Sequence, residues 1–221
     1  MSQADHSERA RTQIEIDVVS DVVCPWCFVG KRRLEAARAL APDLDIVVRW
    51  RPYQLDDTIP PGGIARSEYL ARKFSPEKAA EIYSRLNAVG AEAGIAFKFD
   101  AITRSPNTLD AHRLIRWAGE AGVQDLVKER LLALYFLEGA DVGDPDVLAR
   151  AAAACGMDGA AVGVRLGLDD DKDSVRADIE KAQSIGVNGV PFFIIDRRMG
   201  LSGAQPPEAI VAAMREALEE R

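Results

Sequence analysis

Cysteine is scarce in this chain. Three occur in 221 residues, too few for a secreted disulfide framework, and two of them share one four-residue segment. Histidine is rarer still. A four-ligand zinc site would have to join Cys24 and Cys27 to Cys155, His6 or His112, none of which stands at ligand spacing. That count argues against a metal. No apolar run approaches the ~20 residues that cross a bilayer, so no membrane-spanning helix is expected. Positive charge is not in excess either: the formal net charge is −7 and the pI is near 5.0, which argues against a nucleic-acid partner. Met1 to Thr12 has no apolar core and no small-residue cleavage site, so a chain starting there is expected in the cytoplasm.

What is present suits a sizeable core. Hydrophobic residues make up 48% of the chain. A fold of this size buries roughly 70% of its unfolded surface and needs no staples. Residues 1–13 lack periodicity and read as a disordered arm. Ile14 to Val19 alternates as a strand does, and Leu44 to Trp50 forms a second strand. Between them Phe28, Leu34, Ala37 and Leu40 supply the apolar side of a helix, with Lys31, Arg32, Arg33, Glu35 and Arg38 opposite. A strand–helix–strand of this length favours parallel pairing.

From about Ser67 to Ile185 the segments read as helices. Ser75-Pro76, Asn107-Thr108 and Asp144-Pro145 mark helix starts, and Leu126 to Leu137 is strongly apolar. Strands return at Phe192 to Ile195 and Met199 to Ser202, and Pro206-Pro207 opens a last helix carrying Ile210, Val211, Met214 and Leu218. The expectation is an α/β fold: a sheet domain over 14–66 and 186–221, interrupted by an all-helical insertion over 67–185. The insertion is expected to cover the sheet end that bears Cys24 and to shape a groove there.

The chemistry concentrates in Cys24-Pro25-Trp26-Cys27, between a strand and a helix. A helix N-terminus presents unpaired N–H groups and a partial positive charge, which favour a thiolate over a thiol. Pro25 fits the first turn, where its missing N–H costs nothing. Cys24 is then expected as the exposed nucleophile. Cys27, about one turn behind, is the resolving thiol that attacks a mixed disulfide. Far along the chain, Val190-Pro191 directly precedes the apolar Phe192–Ile195 run, a place where a cis bond is unsurprising. Alone it favours trans, since only about 5–6% of such bonds are cis.

Taken together, these features resemble the thioredoxin-like superfamily and, within it, the DsbA family. The strand–Cys24-Pro25-Trp26-Cys27–helix unit matches that family's active-site segment, Val190-Pro191 its cis-proline loop, and the helical block its insertion. The stretch Asn107-Thr108 to Ala111-His112-Arg113 is similar to the FrnE-like branch, which is related to the glutathione-using hydroxychromene-carboxylate isomerases. Those lack the double cysteine, so Cys24 with Cys27 points to the redox branch. Periplasmic DsbA enzymes usually carry Pro-His where this chain has Pro25-Trp26.

The resemblance implies a thiol–disulfide oxidoreductase acting on protein or peptide thiols and disulfides. It implies no cofactor beyond glutathione as a co-substrate. Val190 would offer its backbone to an extended substrate and Pro191 would sit against the Cys24 sulfur. Pro25 and Trp26 would flank the substrate, with packing against the insertion as the equal alternative for Trp26. His112 is either a helix histidine satisfied by neighbours or a group facing the Cys24 cleft and its substrate. Cys155 lies in an apolar stripe and reads as buried. Asp21, on the approach to the motif, receives no role. Two other functions compete: a glutathione-dependent isomerase or transferase of a small aromatic molecule, and a non-enzymatic partner that retains only the fold.

Overall fold

The structure, a computed structural model, describes residues 11–221. Strand β1 (Thr12–Ser20) buries Ile14, Ile16 and Val18 on one face. It begins before Ile14, because Thr12 and Gln13 continue the parallel pairing with Leu44 and Asp45 of β2 (Leu44–Pro52). The end of the expected arm is therefore in the sheet, and residues 1–10 lie outside the described residues. Helix α1 (Pro25–Leu40) makes the crossover. Two further strands complete the four-stranded order β2-β1-β5-β6: β5 (Phe192–Ile195) antiparallel to β1, and β6 (Met199–Ser202) antiparallel to β5. Helix α9 (Pro207–Glu219) packs on α1, burying Ile210, Ala213, Met214 and Ala217. Val211 and Leu218 are only half-buried, because the small alanines take the close-contact face.

Between β2 and β5 lie α2 (Arg66–Lys73), α3 (Pro76–Glu92), a 3-10 turn (Phe99–Ala101), α4 (Leu109–Glu120), α5 (Gln124–Glu138), α6 (Pro145–Ala154), α7 (Gly159–Leu166) and α8 (Lys172–Ser184). The caps explain several starts. Ser75 accepts a hydrogen bond from Lys78 N at 3.3 Å and Asp144 one from Asp146 N at 2.8 Å, each with proline next in line. The insertion is not wholly helical. Ile64–Ala65 (β3) and Arg104–Ser105 (β4) form a two-residue antiparallel ladder, too short to leave a periodic trace in sequence.

One continuous apolar core runs through both parts, from Ile14, Phe28 and Phe193 to Leu131, Phe136 and Leu148. Phe28 on α1 meets Phe97 edge-on at 6.1 Å and Phe136 at 6.2 Å, so the helix carrying the cysteines is packed directly on the insertion. Two residues of α1 depart from the expected faces. Leu40 is 53% exposed at the helix end, while Lys31 is only 2% exposed. Lys31 is buried because its ammonium meets Glu35 at 2.5 Å, Asp125 at 3.2 Å and Glu129 at 3.2 Å. Among the described residues, no helix is long and apolar enough to cross a membrane.

Candidate active site

The geometry at the cysteines follows from how β1 hands over to α1. Ser20 ends the strand, and the turn through Asp21 is closed by Cys24 N on the Asp21 carbonyl at 3.4 Å. Cys24 is the N-cap residue, with extended backbone (φ −93°, ψ 112°), and Pro25 occupies the first helical position. The Cys24 carbonyl accepts the first helical bonds, from Cys27 N at 3.0 Å and Phe28 N at 3.4 Å. Cys27 thus stands one turn behind Cys24, and both are free thiols.

The Val190–Pro191 peptide is cis. Its segment closes over the thiols: Cys24 Sγ donates to the Val190 carbonyl at 3.5 Å. Pro191 is buried against α1 at Gly30, where an added Cβ would stand 2.8 Å from Pro191 Cγ. This corrects the expectation of an exposed nucleophile. Cys24 is 3% exposed, because the loop before β5 lies across it. Pro25 and Trp26 are half-buried, and the Arg85 guanidinium of α3 lies 5.5 Å from the Trp26 ring centre. Trp26 therefore packs against the insertion on at least one side.

Beneath the thiols is a set of buried charges. Asp21 is 1% exposed. Its Oδ2 accepts from Leu55 N at 2.9 Å, and its Oδ1 lies 3.3 Å from His112 Nε2. His112 Nε2 also lies 2.9 Å from the Tyr53 carbonyl. With acceptors on both sides, that nitrogen carries the hydrogen. Burial pushes the Asp21 carboxyl upward, but the His112 hydrogen bond and charge, the Leu55 N–H and the charge of Lys128 outweigh it and hold it below its ordinary range. His112, placed among candidate substrate contacts by the sequence, is 2% exposed, and its Nε2 is taken up by Asp21 and the Tyr53 carbonyl. It steadies Asp21.

Lys128, on α5, is fully buried. Among the described residues its Nζ has no hydrogen-bond partner, and it lies 5.4 Å from the Trp50 ring centre. Burial drives its pKa down, opposed by the charges of Cys27, Asp21 and Cys24. For Cys27 the direction is the reverse. Burial, then the hydrogen bond and charge shared with Cys24, push its thiol well above the ordinary range, while Lys128 and the Asp21 backbone pull it back. A cavity of about 20 Å³, room for roughly one water, is lined by Asp21 with Val23, Arg66, Tyr69 and Tyr135.

Sequence reasoning passed over Asp21 and Lys128. The lysine had a usable signal: Lys128, Leu131, Leu132 and Tyr135 are spaced i, i+3, i+4 and i+7, which places a cation in the inward stripe of α5. Cys155 ends α6 half-buried rather than buried, since it is the cap residue of a helix whose inward side is Leu148, Ala151 and Ala152.

Two thiols one turn apart at a helix start, under a proline loop from a distant strand, are joined by a match of residues 15–215 to the DSBA-like thioredoxin domain. The chain belongs to this family. A probable DsbA oxidoreductase of Streptomyces coelicolor shares 33% identity and a TM-score of 0.86, covering 94% of this chain and 91% of its own. The uncharacterized protein YwbO of Bacillus subtilis (strain 168) is 28% identical over 183 residues, which is 82% of this chain and 86% of YwbO. The cytosolic disulfide reductase DsbM of Pseudomonas aeruginosa, solved with GSH, has a TM-score of 0.64 at 19% identity, covering 93% of this chain and 99% of its own. At that identity DsbM shows the DsbA-like fold alone. The insertion between β2 and β5 is thus the helical insertion of a DsbA-like domain.

Proposed function

We propose that this DsbA-like protein is a dithiol oxidoreductase that exchanges disulfides of proteins, peptides or glutathione in the cytosol and rests as the dithiol. The observation that carries the reading is the Cys24 sulfur at the N-cap of α1, 3.5 Å from the Val190 carbonyl, with Cys27 one turn behind. Once its proton leaves, Cys24 is the thiolate nucleophile. That thiolate attacks a substrate disulfide and forms a mixed disulfide. Val190 offers its backbone to the extended substrate and Pro25 and Trp26 border it. Cys27 then attacks Cys24 and releases the reduced substrate.

Direction follows from potential. If the protein were as oxidising as DsbA, near about −120 mV, a cytosolic glutathione pool near roughly −250 mV would favour the dithiol by ~6 kcal/mol. The protein then acts as a reductase or isomerase. That Pseudomonas DsbM was solved with GSH supports glutathione as a co-substrate.

Insulin reduction followed by turbidity tests the assignment. Activity is expected in the parent and lost in Cys24→Ser and in Cys27→Ser. Activity that survives both substitutions rejects dithiol exchange, and product formed from an aromatic substrate only when glutathione is added replaces it with an isomerase or transferase. Equilibration against glutathione buffers tests the resting state, which a potential far below the cytosolic poise overturns.

A further inference from the structure

Arg85 of α3 is exposed and lies over the Trp26 ring, 5.5 Å from its centre. Most arginines of this acidic chain meet a carboxylate, as Arg32, Arg49 and Arg215 do. Arg85 does not: among the described residues its guanidinium has neither an ion pair nor a hydrogen bond. Glu81, one turn back on α3, is in place to take it but is held by Lys78 Nζ at 2.8 Å. Arg33, two turns beyond Trp26 on the same side of α1, also lacks a carboxylate among the described residues, and its guanidinium donates to the Ala204 carbonyl. Gly30, between Trp26 and Arg33, faces Pro191. The rim beside the proline loop thus carries two guanidinium charges on a chain whose net charge is −7. A guanidinium held by its face on an indole keeps its N–H edges free, and those edges match a carboxylate with two parallel hydrogen bonds. Trp26 stands two residues from Cys24, so a carboxylate placed on Arg85 belongs to a molecule whose sulfur is at Cys24.

We propose that Arg85, supplied by the insertion, is a specificity-determining residue: with Trp26 behind it, it binds a carboxylate that a small disulfide substrate carries close to its sulfur. This rests on the dithiol reading above and names the class of disulfide that the site prefers. The exchange itself is unchanged. Two electrons and two protons pass from Cys24 and Cys27 to the substrate disulfide, which leaves as two thiols. Arg85 makes and breaks no covalent bond; it raises the share of encounters that present the substrate sulfur to Cys24. A neutral disulfide meets the border of Trp26 and Val190 and gains nothing from the guanidinium, and a basic one is repelled. Because the cation is exposed, its effect is modest and falls with salt.

The test mixes the full chain, as the dithiol, with an excess of acidic glutathione disulfide, neutral hydroxyethyl disulfide or basic cystamine. Samples are quenched in acid, and the Cys24 and Cys27 thiols that remain are alkylated and counted by mass spectrometry. In Arg85→Gln the rate with glutathione disulfide falls about fivefold, while that with hydroxyethyl disulfide stays within about twofold. In Arg85→Glu the rate with glutathione disulfide falls further and that with cystamine rises severalfold. Salt at about 0.5 M slows the parent on glutathione disulfide toward the Arg85→Gln rate and changes the variant little. An unchanged rate with glutathione disulfide in Arg85→Gln overturns the proposal. So does an equal slowing with all three probes, which marks Arg85 as a prop for Trp26. An equal loss in Arg150→Gln, which removes an exposed cation of α6, overturns it as well, because net charge alone then explains the effect. A parent whose two thiols survive all three probes rejects the dithiol reading itself, and the role of Arg85 falls with it.

Discussion

Gly30 is the residue whose identity the site most visibly demands. It faces Pro191 across the contact between α1 and the loop before β5, and a Cβ would stand 2.8 Å from a ring carbon of a buried proline. Neither partner is a flexible side-chain tip, so the backbone itself must move. Gly30→Ala is expected to lower stability by about 1–3 kcal/mol, the range for an overpacked contact, and to slow substrate capture by shifting Val190 off Cys24. Denaturant unfolding and the rate at which Cys24 captures a disulfide probe measure the two effects; an unchanged capture rate would separate Gly30 from the site. At this scale the pair Cys24 and Cys27 was legible in sequence from its spacing at a helix start, whereas Val190-Pro191, which alone favours trans, was read only through the family resemblance. Asp21 was not, because its significance depends on His112 and Leu55, which reach it from 91 and 34 residues away.

Among elements, the decisive joint is between α1 and α5. Lys31 and Arg32 of the one meet Asp125 and Glu129 of the other, with Arg32 to Glu129 at 2.5 Å, while Trp50 Nε1 donates to Asp125 Oδ1 at 2.9 Å. Burial raises the Glu129 carboxyl, but the Arg32 hydrogen bond and the charges of Lys31 and Arg32 prevail and leave it below its ordinary value of 4.5. A carboxyl lowered in the folded state adds stability that is in full force above the unfolded value and disappears as pH falls through the folded one. Tm is therefore expected to drop below about pH 4.5, and Glu129→Gln to lessen that drop. Thermal melts from pH 6 to 3 check this, and parallel curves for parent and variant would contradict it.

The helices themselves were largely readable from caps and periodicity. α2 and α7, eight residues each, were not resolved as separate elements, having little room for a 3.6-residue pattern to repeat. The face of α1 was misread at Lys31 for a different reason: two of the three carboxylates that make its burial tolerable, Asp125 and Glu129, come from α5.

For the molecule as a whole, the insertion and the sheet are one body in energetic terms, since a single apolar cluster threads both. The order of strands and helices predicted an interrupted sheet, but no periodicity could reveal that the interruption shares its core with the sheet. Phe136 of α5 packs on Phe28 of α1, on Phe97 and on Phe99. Phe136→Ala is expected to destabilise by about 3–5 kcal/mol and to do so across the whole chain. Far-UV and near-UV dichroism should move together through one unfolding transition in parent and variant alike. Two separated transitions would show that the parts fold independently.

The carbonyl of Val190 lying across Cys24 has a consequence for survival under oxidant stress. Hydrogen peroxide must approach a sulfur in line, and a sulfur roofed by backbone offers little approach until a disulfide partner displaces the roof. Progress from sulfenic to sulfinic and sulfonic acid, which ends a cysteine's working life, is thereby slowed at the residue that could least tolerate it. After a peroxide pulse, mass spectrometry should find the half-buried Cys155 carrying added oxygen while Cys24 has either none or a bond to Cys27.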